Sequence, residues 1–310
     1  MSQIISASRR TDLPALHPRW LINRLRAGFA MVKNPMNTRK VARVSLLPEE
    51  VGALVLWTRF PRPLLPWLDE IEGRVGAPLW LVTLNGYPRA LEARTPAPVR
   101  VIEDLHVLAA RSGSDKLHWR YDPIVLSSIT PVSFHEETFG QLARALSGVV
   151  EACHISFVDR HYRKTARRFA ALEGGGVRLH DPDQAARRDL AARLWQLGRA
   201  SNIEVLSCCE PDLSPRPGTT AELFDPAPAP GPRASGCVDL QWVRRVTGVA
   251  QLQASARPTR PHCLCCASKD IGAYDTCSMG CVYCYATRSD QAGRAGRRAA
   301  NPDSVALGPL

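Results

Sequence analysis

The chain is poor in aromatics and histidine: Phe, Trp and Tyr make up 6% of its 310 residues, and His occurs 8 times. No apolar run approaches the ~18–20 residues of a bilayer-spanning helix. The first residues, MSQIISASRRTD, lack the apolar core of a signal peptide, so the expected location is cytoplasmic with no membrane partner. Acidic residues are also short, 29 against 40 Lys and Arg, for a formal net charge of +11. That excess suits an anionic partner such as nucleic acid. However, basic runs interleaved with aromatics are missing, and Arg294, Arg297 and Arg298 fall in a Gly/Ala-rich stretch that reads as a disordered tail. No Ser/His/Asp grouping and no H-E-x-x-H motif is visible. His106, His118 and His161 are isolated and read as structural, and Gly174-Gly175-Gly176 lacks the flanks of a phosphate loop.

Cysteine is what the chain does have. Ten cysteines in a reducing compartment point to metal ligation or redox chemistry rather than to a disulfide framework. Cys277, Cys281 and Cys284 form a C-x3-C-x2-C array with Tyr283 just before the third thiol. A structural zinc site is usually closed by four ligands. An iron–sulfur cubane also takes four, yet can leave one iron open to substrate. Cys263 and Cys265 form a C-x-C pair beside Cys266, while Cys208, Cys209 and Cys237 lie upstream at strand and loop ends. Cys153 begins an apolar strand and reads as a small buried hydrophobe.

Along the chain, short apolar runs alternate with helical patterns. Strands are expected at 3–8, 53–57, 79–84, 117–121, 154–158 and 204–207, with a hairpin over 29–33 and 41–46. Such alternation predicts a parallel sheet with helical crossovers. Six units of this kind lead us to expect an α/β fold, a TIM-like (β/α) barrel, closed or partial. Polar residues recur just after the strands: Arg9 and Arg10, Thr58 and Arg59, Asn85, Arg120 and Asp122, Asp159, Glu210. Active sites gather at that end of β/α barrels, and doubly wound sheets bind ligands there too. The barrel body is expected over 1–210. A Pro-rich irregular connection with a short helix follows over 211–262, then a cysteine-rich segment at 263–287 completing the barrel, and a disordered tail at 288–310.

The ordered motifs IISASRRTDLP, LVLWTR, LNGYPR, WRYDPI, ISFVD and DIGAYDTCSMGCVYCYA together resemble the family called domain of unknown function 1848. The cysteine loop also resembles that of radical S-adenosylmethionine (SAM) enzymes, although there it usually follows the first barrel strand. The resemblance implies a [4Fe–4S] cluster on Cys277, Cys281 and Cys284 whose free iron binds SAM and cleaves it reductively to a 5′-deoxyadenosyl radical. It also implies a second set, Cys208, Cys237, Cys263 and Cys265, for an auxiliary cluster or zinc, with Cys209 and Cys266 as spare neighbours. Expected partners are SAM, an anionic substrate and an electron donor such as ferredoxin or flavodoxin. Arg9, Arg10, Asn85, Arg120, Asp122, Asp159 and Glu210 are the expected cavity residues. The alternative function is a non-catalytic zinc or iron–sulfur module that binds nucleic acid or carries electrons. A strand over 270–274 beside residues 3–8 would bring the late cysteine loop to the same end as those polar residues.

Overall fold

The computed structural model describes residues 2–37, 39–159, 162–213 and 231–310. Eight strands form one parallel sheet: β1 (Gln3–Ala7), β4 (Val51–Thr58), β5 (Leu79–Thr83), β6 (Leu117–Ile124), β7 (Ala152–Phe157), β8 (Glu204–Ser207), β9 (Arg233–Ala234) and β10 (Lys269–Asp270). Their spatial order is β10-β1-β4-β5-β6-β7-β8-β9, and β2 (Phe29–Lys33) and β3 (Val41–Ser45) make a separate antiparallel hairpin. The α/β class and parallel sheet agree with the sequence pattern. Of the two forms expected, a closed or a partial barrel, the closed one is not formed: β9 and β10 are edges of an open sheet. Each offers only two residues, too few for a ladder across the gap. That gap is spanned instead by cysteine-bearing backbone, where the Cys266 N–H donates to the Val238 carbonyl at 3.0 Å.

The outer face is covered by α1 (Leu13–Leu16), α2 (Pro18–Ala27), α3 (Leu68–Val75), α4 (Pro98–Ser112), α5 (Val132–Ala145) and α7 (Gln184–Ala200), while α6 (Arg163–Gly174) packs through Phe169 against the cysteine loop. Apolar residues spaced to lie on one side of each helix meet alternate residues of the strands. Trp80, Val82, Trp119 and Ile155 are buried against Leu105, Phe139, Leu190 and Leu194. On the inner face, Ile4, Val55, Trp57, Leu79 and Leu81 pack with Val238, Leu252 and α8 (Leu240–Thr247), capped by Asp239. Both faces are therefore covered, as parallel sheets require.

Residues 288–310 are ordered where a disordered tail was expected. Ser289 caps α9 (Asp290–Ala299). The segment after it returns to the body, where Trp20 Nε1 donates to the Ser304 carbonyl at 2.9 Å and Leu307 is buried. Tertiary packing overrides the weak composition signal. No helix among the described residues is long and apolar enough to cross a membrane. His161 and residues 214–230 of the Pro-rich connection lie outside the described residues.

Candidate metal centre and cavity

Parallel pairing of β1 with β10, Ile5 with Lys269 and Ser6 with Asp270, delivers the late cysteine loop to the carboxyl end of the sheet. The expected 270–274 strand is shorter and shifted, yet it lies beside β1. Asp270 fixes the junction by accepting from Ser6 and Ser8 hydroxyls at 3.1 and 2.7 Å and from the Arg9 and Gly272 N–H groups at 2.7 and 3.0 Å. Four donors on one carboxylate explain how a two-residue strand holds its register.

Beyond Gly272 the loop is pinned from several elements. Arg168 on α6 donates to the Val282 and Thr287 carbonyls at 2.7 and 3.0 Å. Arg94 donates to the Ser278 carbonyl at 2.7 Å, and His17 Nε2 to that of Thr276 at 2.9 Å. Cys277, Cys281 and Cys284 join an apolar cluster with Tyr87, Leu91, Phe169 and Met279. The three thiols are mutual neighbours: burial raises the pKa of Cys277, and the charges of Cys284 and Cys281 add to that. Burial pushes Cys281 up to about 12, with the Arg59 charge pulling the other way. The Met279 N–H bonds the Cys277 sulfur, and the Ala286 N–H donates to Cys284 Sγ at 3.3 Å.

Against this loop stands a buried polar knot. Glu92, 3% exposed, accepts from Arg59 Nη1 at 2.8 Å, Asn85 Nδ2 at 3.1 Å, Thr95 Oγ1 at 3.1 Å and the Tyr283 hydroxyl. Burial opposes the Arg59 charge, but Cys281, Glu92 and Tyr283 more than offset it, so the guanidinium stays protonated. Asn85 also accepts from the Asp122 N–H at 3.0 Å. Asp12 caps α1 and accepts from Thr58 Oγ1 and the Arg59 N–H, both at 2.7 Å; burial still pushes its carboxyl up to about 6. A cavity of about 150 Å³ adjoins Glu92, Arg59 and Tyr87, room for a few waters at ~30 Å³ each.

The strand register places Thr83, Arg120 and His154 in one row of the inner face. Arg120 pairs with Asp122, which also accepts from Ser156. Arg9 and Arg120 both lie over Trp57, at 4.7 and 5.0 Å from the ring centroid. At the amino end, His118 stacks on Trp242 at 3.8 Å and bonds His154 at 3.0 Å, so it is not isolated as expected. Arg10 turns away to Asp270 and the Gly272 carbonyl and lies over Tyr274. Glu210 accepts from the Phe157 N–H at 2.8 Å and burial raises its pKa. The Asp159 charge acts on Tyr162. The expected cavity residues thus divide: Asn85, Arg120 and Asp122 meet at the centre with Arg9 near them, while Arg10, Asp159 and Glu210 stand toward the rim.

The upstream cysteines gather on the inner face. Cys208 Sγ lies 3.2 Å from Cys237 Sγ and 3.7 Å from Cys209 Sγ. Cys237 in turn contacts Cys265, Cys265 contacts Cys263, and Cys263 contacts Cys209, so five thiols form a ring. The expected set of four is present, joined by Cys209; Cys266 stays outside. Cys209 has φ +61°, a left-handed conformation that ordinarily costs about 1–3 kcal/mol and persists where the surroundings impose it. The Cys208 thiol is raised to about 12, chiefly by its bond with Cys209, while Cys263 is lowered by contacts with Cys209 and Cys265. Cys153 is fully buried on the outer face. Among the described residues no three His, Cys, Asp or Glu side chains are set to hold a single metal ion.

Sequence reading missed Glu92, which lies in a loop with no local pattern, and Arg260, which interacts with Cys209 and Cys208. Arg59 carried a signal, at the end of LVLWTR, but was not among the chosen cavity residues.

A family model described as a domain of unknown function (DUF1848) matches residues 4–286. Neither the curated proteins nor the solved structures yield a match.

Proposed function

Because the chain belongs to the DUF1848 family, whose description names no reaction, we propose a function from its own chemistry: a radical-SAM-like iron–sulfur enzyme acting in the cytoplasm. The observation that carries this reading is the delivery of the C-x3-C-x2-C loop, by the β1–β10 pairing, to the polar carboxyl end of a parallel sheet. The finer architecture that goes with it is a partial β/α barrel closed by the cysteine segment instead of by a strand ladder.

The residues fit a [4Fe–4S] cluster. Its ligands sit on separate irons, so they need not converge on one point as zinc ligands do. Three thiols on one loop, with N–H groups at Cys277 and Cys284 and an apolar cover, form such a donor set. When bound there, a cluster with one open iron supplies a site for SAM and one electron for its reductive cleavage. The chain's own residues do the rest. Arg59 offsets thiolate charge beside Cys281, and Glu92 holds Arg59 and Tyr283 in place. Tyr87, Leu91, Phe169 and Met279 exclude water from the loop. Asn85 and Asp122 tie the knot to the inner face, where Arg120 and Trp57 would meet a substrate. The upstream thiol ring would hold an auxiliary cluster or zinc, since four thiolates close either site.

The test is incubation of reduced, cluster-loaded protein with SAM, with 5′-deoxyadenosine as readout. Formation above a Cys281→Ala control supports the reading. Its absence, with iron and sulfide fully loaded, sinks it.

A further inference from the structure

Trp57 lies in the middle of the inner face, 7% exposed, and its indole Nε1–H has no acceptor among the described residues. The same holds for Arg9 Nη2 and Arg120 Nε, which are buried on guanidinium groups lying over that indole. A buried donor left without an acceptor carries a desolvation penalty, larger on a charged group. Three of them around one ring are too many to be incidental to packing.

The remaining contacts of these side chains hold them in place without quenching them. Arg9 Nη1 donates to Ser268 Oγ at 3.0 Å, and its backbone N–H is held by Asp270. Arg120 spends Nη2 on Asp122, itself shared with Ser156, and reaches Thr83 Oγ1 at 3.5 Å through Nη1. One cation is thus partly neutralised and the other faces thiols and Asp270. Half-exposed Tyr162 and Tyr285 stand beside Arg9, their rings 6.0 Å apart, and the Tyr285 hydroxyl donates to the Arg9 carbonyl at 2.9 Å.

We propose that Arg9, Arg120 and Trp57 form an oxyanion clamp that takes a carboxylate or phosphate of the substrate. Guanidinium forks match such groups in two-point contacts, and a neutral N–H beside them adds a third. The clamp rests on the inner face being the substrate cavity of the proposed enzyme, but its binding step needs no cluster.

The experiment titrates inorganic phosphate, and separately acetate, into the full chain, with chloride at matched ionic strength as reference. Readouts are indole fluorescence and the unfolding midpoint, which rises when an anion binds the folded state. Saturable binding by either anion is expected, weakened at least tenfold in Arg9→Gln and in Arg120→Lys, and unchanged in the surface control Arg26→Gln. Arg120→Lys retains the charge beside Asp122 while removing the fork, so it guards against simple unfolding. A phosphate-only response assigns a phosphorylated substrate, and an acetate-only response a carboxylate. No response beyond chloride, or equal binding in both variants, overturns the clamp. In the Cys277→Ala/Cys281→Ala/Cys284→Ala protein the binding should persist whether or not SAM is ever cleaved, so the two readings fail separately. Loss of binding there would move the anion to the cysteine loop and overturn this assignment.

Discussion

Glu92 is the side chain that ties the polar knot to the cysteine loop. It takes four donors in a buried site, and Arg59 has no other carboxylate partner among the described residues. Removing one member of a buried ion pair leaves the other uncompensated, at a cost of about 3–5 kcal/mol. Glu92→Ala should lower the denaturant midpoint accordingly, with the m-value unchanged; a loss under 1 kcal/mol would mean that Arg59 finds water instead. A second residue-scale prediction concerns acid. His135 Nε2–H donates to the Val125 carbonyl at 3.1 Å, and its Nδ1 accepts from the Tyr121 hydroxyl at 2.8 Å. Burial lowers its pKa to about 4, against an ordinary value of 6.5. The unfolded chain therefore binds the extra proton first. The stability this neutral imidazole contributes is whole above pH 6.5 and is lost as pH falls to 4, on the order of 3 kcal/mol by linkage. His135→Gln should flatten the stability profile between pH 6.5 and 4; an unchanged slope would refute this assignment. At this scale the sequence was informative where a motif repeats a geometry, as with Asn85, Arg120 and Asp122 at strand ends. It was silent on Glu92, because only the folded chain brings that loop residue to Tyr283.

Among the elements, α9 bears most on the cysteine loop. Its glycines let it lie directly on the loop backbone. A Cβ built on Gly293 would sit 2.1 Å from the Cys277 carbonyl oxygen, and one on Gly296 2.0 Å from that of Asp275. Neither neighbour is a flexible side chain, so the helix would have to lift. Gly293→Ala should therefore raise proteolytic sensitivity near residues 288–299 and reduce metal retention, even though alanine favours helix by about 1 kcal/mol. Higher stability with unaltered metal content would show that α9 is only a passenger. The strands were legible from their short apolar runs and following polar residues, since a buried parallel strand needs little more. The ordered α9 was not, because Gly/Ala/Arg composition carries no apolar face. Its order comes from close approach and capping, which no local pattern announces.

For the whole molecule, the open sheet resolves the odd position of the cysteine loop. A chain whose last strand pairs with its first can carry the cysteine loop late and still place it beside β1. The alternation of strands and helices made the α/β class readable. The open edges were not readable, because each is a strand of two residues, and the register of β10 is held by Asp270. The same topology separates two thiol groups: three on the carboxyl-end loop and five in a ring on the inner face. On the proposed function, the first group holds an open iron–sulfur cluster. Its most direct test is iron, zinc and acid-labile sulfide per chain on anaerobically purified protein, beside the Cys277→Ala/Cys281→Ala/Cys284→Ala variant. Iron and sulfide are expected in equal amounts in the wild type, near one cubane if the ring holds zinc and near two if it holds a cluster. The variant should lose one cubane's worth in either case. Zinc without sulfide, or iron and sulfide undiminished in the variant, would contradict it.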